Sequence, residues 1–283
     1  MNHRLLPPVS LLKQITQAEF DCQTHRFDFF PLIKSIIPKK EVSMSEQSAT
    51  PTNVKRTFWV AFAFYFLIGF EFFYMISPFA VYFYSVYSPS LQFFGESATL
   101  SWLNQIFLPH IVSDTSSPIL NSLMPIGLIL AVGGFLFFCL GAIQVYWSKL
   151  TKKKAVTGGV YLIIRHPQYA SLIISGFGLL ILWPRYIALL AYVSMLFMYY
   201  FLARLEENEC EEKFGQSYID YRNKTAMFFP LPIRFNLSKL LPEKGIQRKL
   251  TLIGIYCIVL FASVNLANVT RNWTLNSLHA VYD

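Results

Sequence analysis

Apolar residues gather along this chain into runs too long for an ordinary soluble helix, separated by polar stretches of uneven length. The first run, Phe58 to Tyr84, carries one charge, Glu71, and as a helix rising about 1.5 Å per residue it can cross roughly 30 Å of hydrocarbon with some tilt. A second run, Ile119 to Trp147, contains Gly127, Gly133, Gly134 and Gly141. Gly134 and Gly141 lie two turns apart near one face, a spacing that lets a neighbouring helix approach closely. The third apolar region, Gln168 to Ala203, is broken by Trp183, Pro184 and Arg185, which predicts a helical hairpin of two shortish spans. A last run, Leu250 to Asn268, predicts a fifth span followed by a short tail. The pattern predicts an all-α, polytopic helical membrane protein with about five transmembrane helices.

The polar segments divide the chain into four parts. Residues 1–56 read as a poorly ordered N-terminal tail: they hold five prolines and lack the charged, apolar and small-residue regions of a signal peptide. Within them Met44 resembles an ordinary start, so residues 1–43 read as an upstream extension. Residues 57–147 hold the first two spans, and the loop from Ser85 to Pro118 contains no Lys or Arg and touches the interface through Phe93, Phe94 and Trp102. Residues 148–232 hold a polar loop, the hairpin and an acidic helix; residues 233–283 hold a linker, the fifth span and the tail. Of 24 Lys and Arg residues, 22 fall on one side of this arrangement, which the positive-inside rule assigns to the cytoplasm. Asn268-Val-Thr270 and Asn272-Trp-Thr274 fit the glycosylation pattern on the opposite face, but they hug the membrane, which argues against their use.

Composition agrees: 54% of residues are hydrophobic and 14% charged, against the quarter or so charged in soluble domains. The net charge of +8 does not indicate nucleic acid, because the basic residues flank apolar runs and form no aromatic-interleaved patch. Four widely separated cysteines, without metal-ligand spacing, predict neither a disulfide framework nor a metal centre.

Two polar segments are denser in specific side chains than solubility requires. The first, TGGVYLIIRHPQYAS, runs from Thr157 to Ser171. Its glycines permit close backbone approach, and Pro167 suits a first helical turn, where no amide donor is needed. Arg165 and His166 beside helix-start amides would hold an anionic group; Arg165 equally reads as a topogenic charge and Tyr169 as an interface anchor. The second segment, Arg204 to Pro230, continues the fourth span into a helix rich in carboxylates, with Gly215 as its stop and Tyr218 and Tyr221 on one face of the next turn. Glu211 and Glu212 read as a solvated helix end. Glu206 and Glu207 lie nearest the membrane, where an uncompensated carboxylate is expensive, and they need a partner or a task. Glu71 carries the same cost and is expected to face the bundle or a polar cavity.

From Thr157 to Pro230 the chain resembles the isoprenylcysteine carboxyl methyltransferase and phospholipid methyltransferase superfamily. Gly159, Tyr161, Arg165, His166, Pro167 and Tyr169 match its G-x-Y-x-x-x-R-H-P-x-Y element. After a hairpin, Glu206, Glu207, Phe214, Gly215, Tyr218, Tyr221 and Pro230 match the second. Val160, Ser171 and Cys210 depart from it, and only Ser171, where glycine is common, would bear on cofactor fit. The resemblance implies an S-adenosyl-L-methionine site facing the cytoplasm, enclosed by the third and fourth spans and the helix that follows. It implies cofactor contacts from Gly159, Tyr161, Arg165, His166, Tyr169, Glu206 and Glu207, with Gly176 and Gly178 giving room. Arg204, on physical grounds, would orient an anionic acceptor.

The implied activity is methyl transfer to a lipid or lipid-linked acceptor: a prenylcysteine carboxylate, a phospholipid amine or a thiol. The implied location is the endoplasmic reticulum or a bacterial inner membrane. An NADPH-dependent sterol-type reductase shares the RHPxY element but not the Glu206 to Tyr221 block; a non-catalytic membrane adaptor is a further alternative.

Overall fold

The computed structural model describes residues 51–87, 90–108, 118–150, 161, 163–229 and 245–282. The tail, the proposed start at Met44, Gly158, Gly159 and Pro230 lie outside them, as does the side chain of Glu71. The described chain is helical throughout, with no strand beyond two isolated bridges. Its α-helices are α1 (Pro51–Tyr87), α2 (Ser90–Glu96), α3 (Pro118–Leu150), α4 (Pro167–Leu182), α5 (Tyr186–Phe214), α6 (Gln216–Lys224) and α7 (Ile246–Tyr282), with a 3-10 turn at Ser101–Asn104. Each predicted span falls on one of them. Leu120–Ile143, Tyr186–Glu212 and Ile246–Leu275 are long and apolar enough to cross a membrane, and Phe72–Val86 and Pro167–Leu182 are shorter apolar stretches.

Helices α3 and α4 lie antiparallel in close contact because small residues let their backbones meet. A Cβ at Gly134 would stand 2.7 Å from the Ser175 amide nitrogen and one at Gly127 3.2 Å from the Gly178 carbonyl. The Ser175 hydroxyl donates to the Ala131 carbonyl at 2.8 Å, which ties the seam with a hydrogen bond that water cannot contest in lipid. Gly141 has only ordinary contact with Gln168. Helix α1 closes the other side. Its Tyr82 is buried, donates to the Gly176 carbonyl at 3.0 Å and meets the Tyr192 ring edge-on at 5.9 Å. Met75, Phe138, Leu172 and Met195 complete this core.

The turn between α4 and α5 is held by the segment that was expected to skim the interface. The Phe107 amide donates to the Pro184 carbonyl, the Tyr186 amide to Gln105, and the Arg185 guanidinium to the Asn104 carbonyl at 2.8 Å. Trp102 and Phe107 pack their rings on Tyr186, while Phe93 stays exposed.

The residues after Asn268 continue the last helix: α7 runs to Tyr282, since nothing between Val269 and Tyr282 is a glycine or proline that would stop it. Both glycosylation patterns therefore lie inside a helix, and Asn268 accepts a hydrogen bond from the Tyr186 hydroxyl at 2.6 Å. Among the described cysteines, Cys139 and Cys257 are free thiols.

Candidate functional site

Pro167 occupies the first turn of α4 behind His166, so the helix starts where its ring fits and an amide is not required. The residues just before it are in turn held by the chain leaving α6. Ile164 and Ala226 form a parallel bridge: the Ala226 amide donates to Ile163, the Arg165 amide to Ala226 and the His166 amide to Met227, at 2.8 to 3.1 Å. Gly215, at φ +55°, ends α5 in a conformation that glycine adopts without strain and turns the chain into α6. There Tyr218 and Tyr221 are buried with rings 6.0 Å apart, and the Tyr221 hydroxyl donates to the Tyr161 carbonyl at 2.9 Å. Two segments some sixty residues apart in sequence are thus stitched together around the end of α5.

Four charged or chargeable side chains converge inside this clasp, and all are buried: Arg165, His166, Glu206 and Glu207. Glu207 is fully enclosed. Its Oε1 accepts from Arg165 Nε at 2.7 Å and its Oε2 from Arg204 Nη1 at 3.1 Å. Arg165 Nη1 donates to the carbonyls of Arg222 and Thr225 and to the Thr225 hydroxyl, so it joins α5 to the end of α6. Arg204 keeps a third of its side chain exposed. Glu206 accepts a hydrogen bond from the Tyr169 hydroxyl and lies 3.3 Å from His166 Nδ1.

His166 Nε2 stands 3.6 Å from Glu207, beyond hydrogen-bond reach, and has no hydrogen-bond partner although it is buried. Burial opposes a charge on this imidazole, yet Glu206 and Glu207 outweigh it and hold the His166 pKa above the ordinary 6.5. The ring is nearly parallel to Tyr169 at 5.6 Å, and Tyr169 stacks on Tyr199 at 4.9 Å, which gives a flat aromatic wall beside the carboxylates. A buried polar atom without a partner, a carboxylate at hand and a stacked face together suit a polar ligand with a planar, conjugated part.

Of the residues singled out in the sequence, Arg165, His166, Tyr169, Arg204, Glu206 and Glu207 come together, with the Tyr161 carbonyl at the edge. Gly159 lies outside the described residues. Gly176 and Gly178 do not leave room for a ligand, because other helices fill the space. A Cβ at Gly176 would meet Met195 at 2.7 Å, and one at Gly178 would meet the Ala131 backbone nitrogen at 2.2 Å. The Ser171 hydroxyl turns back to the Gln168 carbonyl within its own helix. Sequence reasoning missed the strand-like Thr225 to Phe228 segment. The apolar pair Phe228-Phe229 directly after a polar helix was the available signal.

Residues 121–217 match the family model described as Phospholipid methyltransferase. The match spans α3, α4 and α5, the helices that carry or support the cluster, and covers about a third of the chain. Comparisons with curated proteins and with solved structures give no match.

Proposed function

We propose that this phospholipid methyltransferase-type domain binds S-adenosyl-L-methionine in the clasp and transfers its methyl group to a lipid or lipid-linked acceptor at the cytoplasmic face. The observation that carries the reading is His166 itself. It is buried between the two carboxylates with Nε2 unsatisfied, a cost that a bound polar ligand would remove.

Bound there, the cofactor supplies an electrophilic methyl group on a positively charged sulfur. Glu206 and His166 Nε2 would hold its polar groups, and the stacked His166, Tyr169 and Tyr199 rings would receive its flat base. Glu207 works one step removed, fixing the two guanidiniums between which it sits. Arg204, the more exposed of them, would orient an anionic acceptor. Displacement at a sulfonium needs no protein nucleophile; alignment of the partners and exclusion of water lower the barrier, and a closed clasp provides both. A carboxylate or thiolate acceptor needs no base, whereas an ammonium acceptor would pass a proton to Glu206.

The test is isothermal titration of the purified, detergent-solubilised protein with S-adenosyl-L-methionine and, separately, NADPH. We expect binding of the first alone, weakened at least about tenfold, or 1.4 kcal/mol, in Glu206→Gln. Binding of NADPH alone would support a reductase, and binding of neither would end the proposal. Radiolabelled cofactor added to membranes then shows whether the methyl group enters protein, lipid or a volatile product.

A further inference from the structure

Arg185 and Arg271 are the two basic residues that fall on the face opposite the clasp, where the positive-inside bias runs against them. One stands at the start of α5 and the other in the last third of α7. The fold nevertheless brings both to the same two residues of the loop that passes the hairpin turn. Arg185 Nη1 donates to the Asn104 carbonyl and Arg271 Nη1 to Gln105 Oε1, both at 2.8 Å. Two guanidiniums thus flank a single step of backbone, whose Cα atoms are about 3.8 Å apart.

Neither cation meets a carboxylate there. Among the described residues, the ion pairs join Arg165, His166, Arg204 and Arg222 to Glu206, Glu207 and Glu211, all at the clasp. A guanidinium carries five N–H donors, and these two give theirs to neutral oxygens through one nitrogen each. Both residues are partly exposed, so the remaining donors can be reached from outside. Helix α5 begins at Arg185 without a side-chain cap, which adds the positive end of its dipole to the same place. Fastening the turn does not require the charges, because the Phe107 and Tyr186 amides already tie loop and hairpin together. Like charges side by side repel, and an anion between them turns that repulsion into attraction.

Three indoles mark the depth of this pair. The Trp183 ring centre lies 5.9 Å from the Arg185 guanidinium carbon, Trp102 packs edge-on against Tyr186, and Trp273 follows shortly after Arg271. All three are exposed, and exposed indoles gather where hydrocarbon meets head groups. The anion at that level is a lipid phosphate, whose oxygens suit the planar fork of arginine. A zwitterionic head group would bring its own ammonium to two cations, so the favoured lipid carries net negative charge.

We infer that Arg185 and Arg271 form a site for the phosphate of an anionic phospholipid in the leaflet opposite the clasp. Both guanidiniums donate to the phosphodiester, and the lipid's chains remain in the bilayer. The site lies at the far end of the hairpin from His166 and does not rest on the methyl-transfer reading.

The probe is phosphatidylglycerol with a diazirine near the glycerol end of one chain, photolysed with the full-length protein in phosphatidylcholine nanodiscs. Peptide mass spectrometry should find label on peptides that hold Trp183 or Trp273. Excess plain phosphatidylglycerol should displace it, whereas extra phosphatidylcholine or inorganic phosphate should not. Arg185→Gln and Arg271→Gln should each lower this label about tenfold, the loss expected when a charge-assisted bond goes. The double variant should fall little further, because one phosphate loses its site either way. Arg248→Gln combined with Lys249→Gln removes the same charge from the start of α7 and should leave the turn label unchanged. Label that survives both single variants, falls equally in that control, or yields equally to phosphatidylcholine overturns the proposal. Displacement by inorganic phosphate would assign the site to a free anion and overturn the lipid. A wild-type thermal midpoint certifies each variant as folded. Arg271→Gln decides alone if Arg185→Gln does not fold, and the wild-type competition decides without either.

Discussion

The hairpin of α4 and α5 is fastened at both ends by the same device, a passing loop that forms one isolated bridge, yet the two fastenings differ in what they enclose. At the turn, Ile106 pairs with Arg185, and the surrounding bonds run to backbone carbonyls and neutral amides; Arg271 there donates to Gln105. At the other end, Ile164 pairs with Ala226 around Arg165, His166, Glu206 and Glu207. Among the described residues, buried Arg, His and Glu side chains occur only at that end. Fastening a hairpin does not require buried charge, as the turn end demonstrates. Charge at the other end is a cost that scaffolding alone does not explain, and such costs concentrate where chemistry is done.

The sharpest way to break this contrast is Glu207→Ala. Two guanidiniums lose their shared carboxylate, and Arg165 stays buried without its ion-pair partner. Breaking a buried pair typically costs about 3 to 5 kcal/mol, so we expect a large fall in thermal midpoint in detergent. A variant as stable as wild type would mean that the network is solvated and that the clasp does not depend on it.

Gly178→Ala comes next and separates packing from ligand binding. The new Cβ meets the backbone of α3, which cannot swing aside as a side chain can, and overpacking of this kind costs about 2 kcal/mol. Cofactor affinity of the folded fraction should be unchanged, whereas loss of affinity without loss of stability would return Gly178 to the site. That glycine illustrates what the sequence made legible. The helices and the breaks at Trp183 to Arg185 and at Gly215 were readable because apolar run length, proline and glycine act locally. Arg165, His166, Glu206 and Glu207 were readable because charge beside a membrane demands a reason. Which neighbour a glycine faces depends on how two helices rotate against each other, and periodicity does not encode that. The pairing of Ile164 with Ala226 was hidden for a related reason: one bridge has no alternating pattern, and its two halves lie on either side of the whole hairpin.

A smaller effect is expected at the turn end. Tyr186→Phe removes the hydrogen bond to Asn268, which is partly exposed to solvent, and should cost about 1 kcal/mol or less. Methyl transfer at saturating substrate should not change. A loss of turnover there would show that the two ends are coupled and that their separation into scaffold and site is wrong.

The finest test uses pH, because His166 titrates only where the carboxylates surround it. Its folded pKa is raised above the ordinary 6.5, so the folded state binds the proton more tightly than the unfolded chain does. The resulting stabilisation is complete below 6.5 and fades as pH rises through the raised value. Thermal midpoints should therefore decline across that window, and His166→Gln should flatten the decline, since a side chain that does not titrate contributes no slope. Tyr186→Phe should leave the slope as it is, because its hydrogen bond involves no group that changes charge there. If His166→Gln kept the wild-type slope, the charge would reside on another group, and the clasp would hold its carboxylates without help from the imidazole.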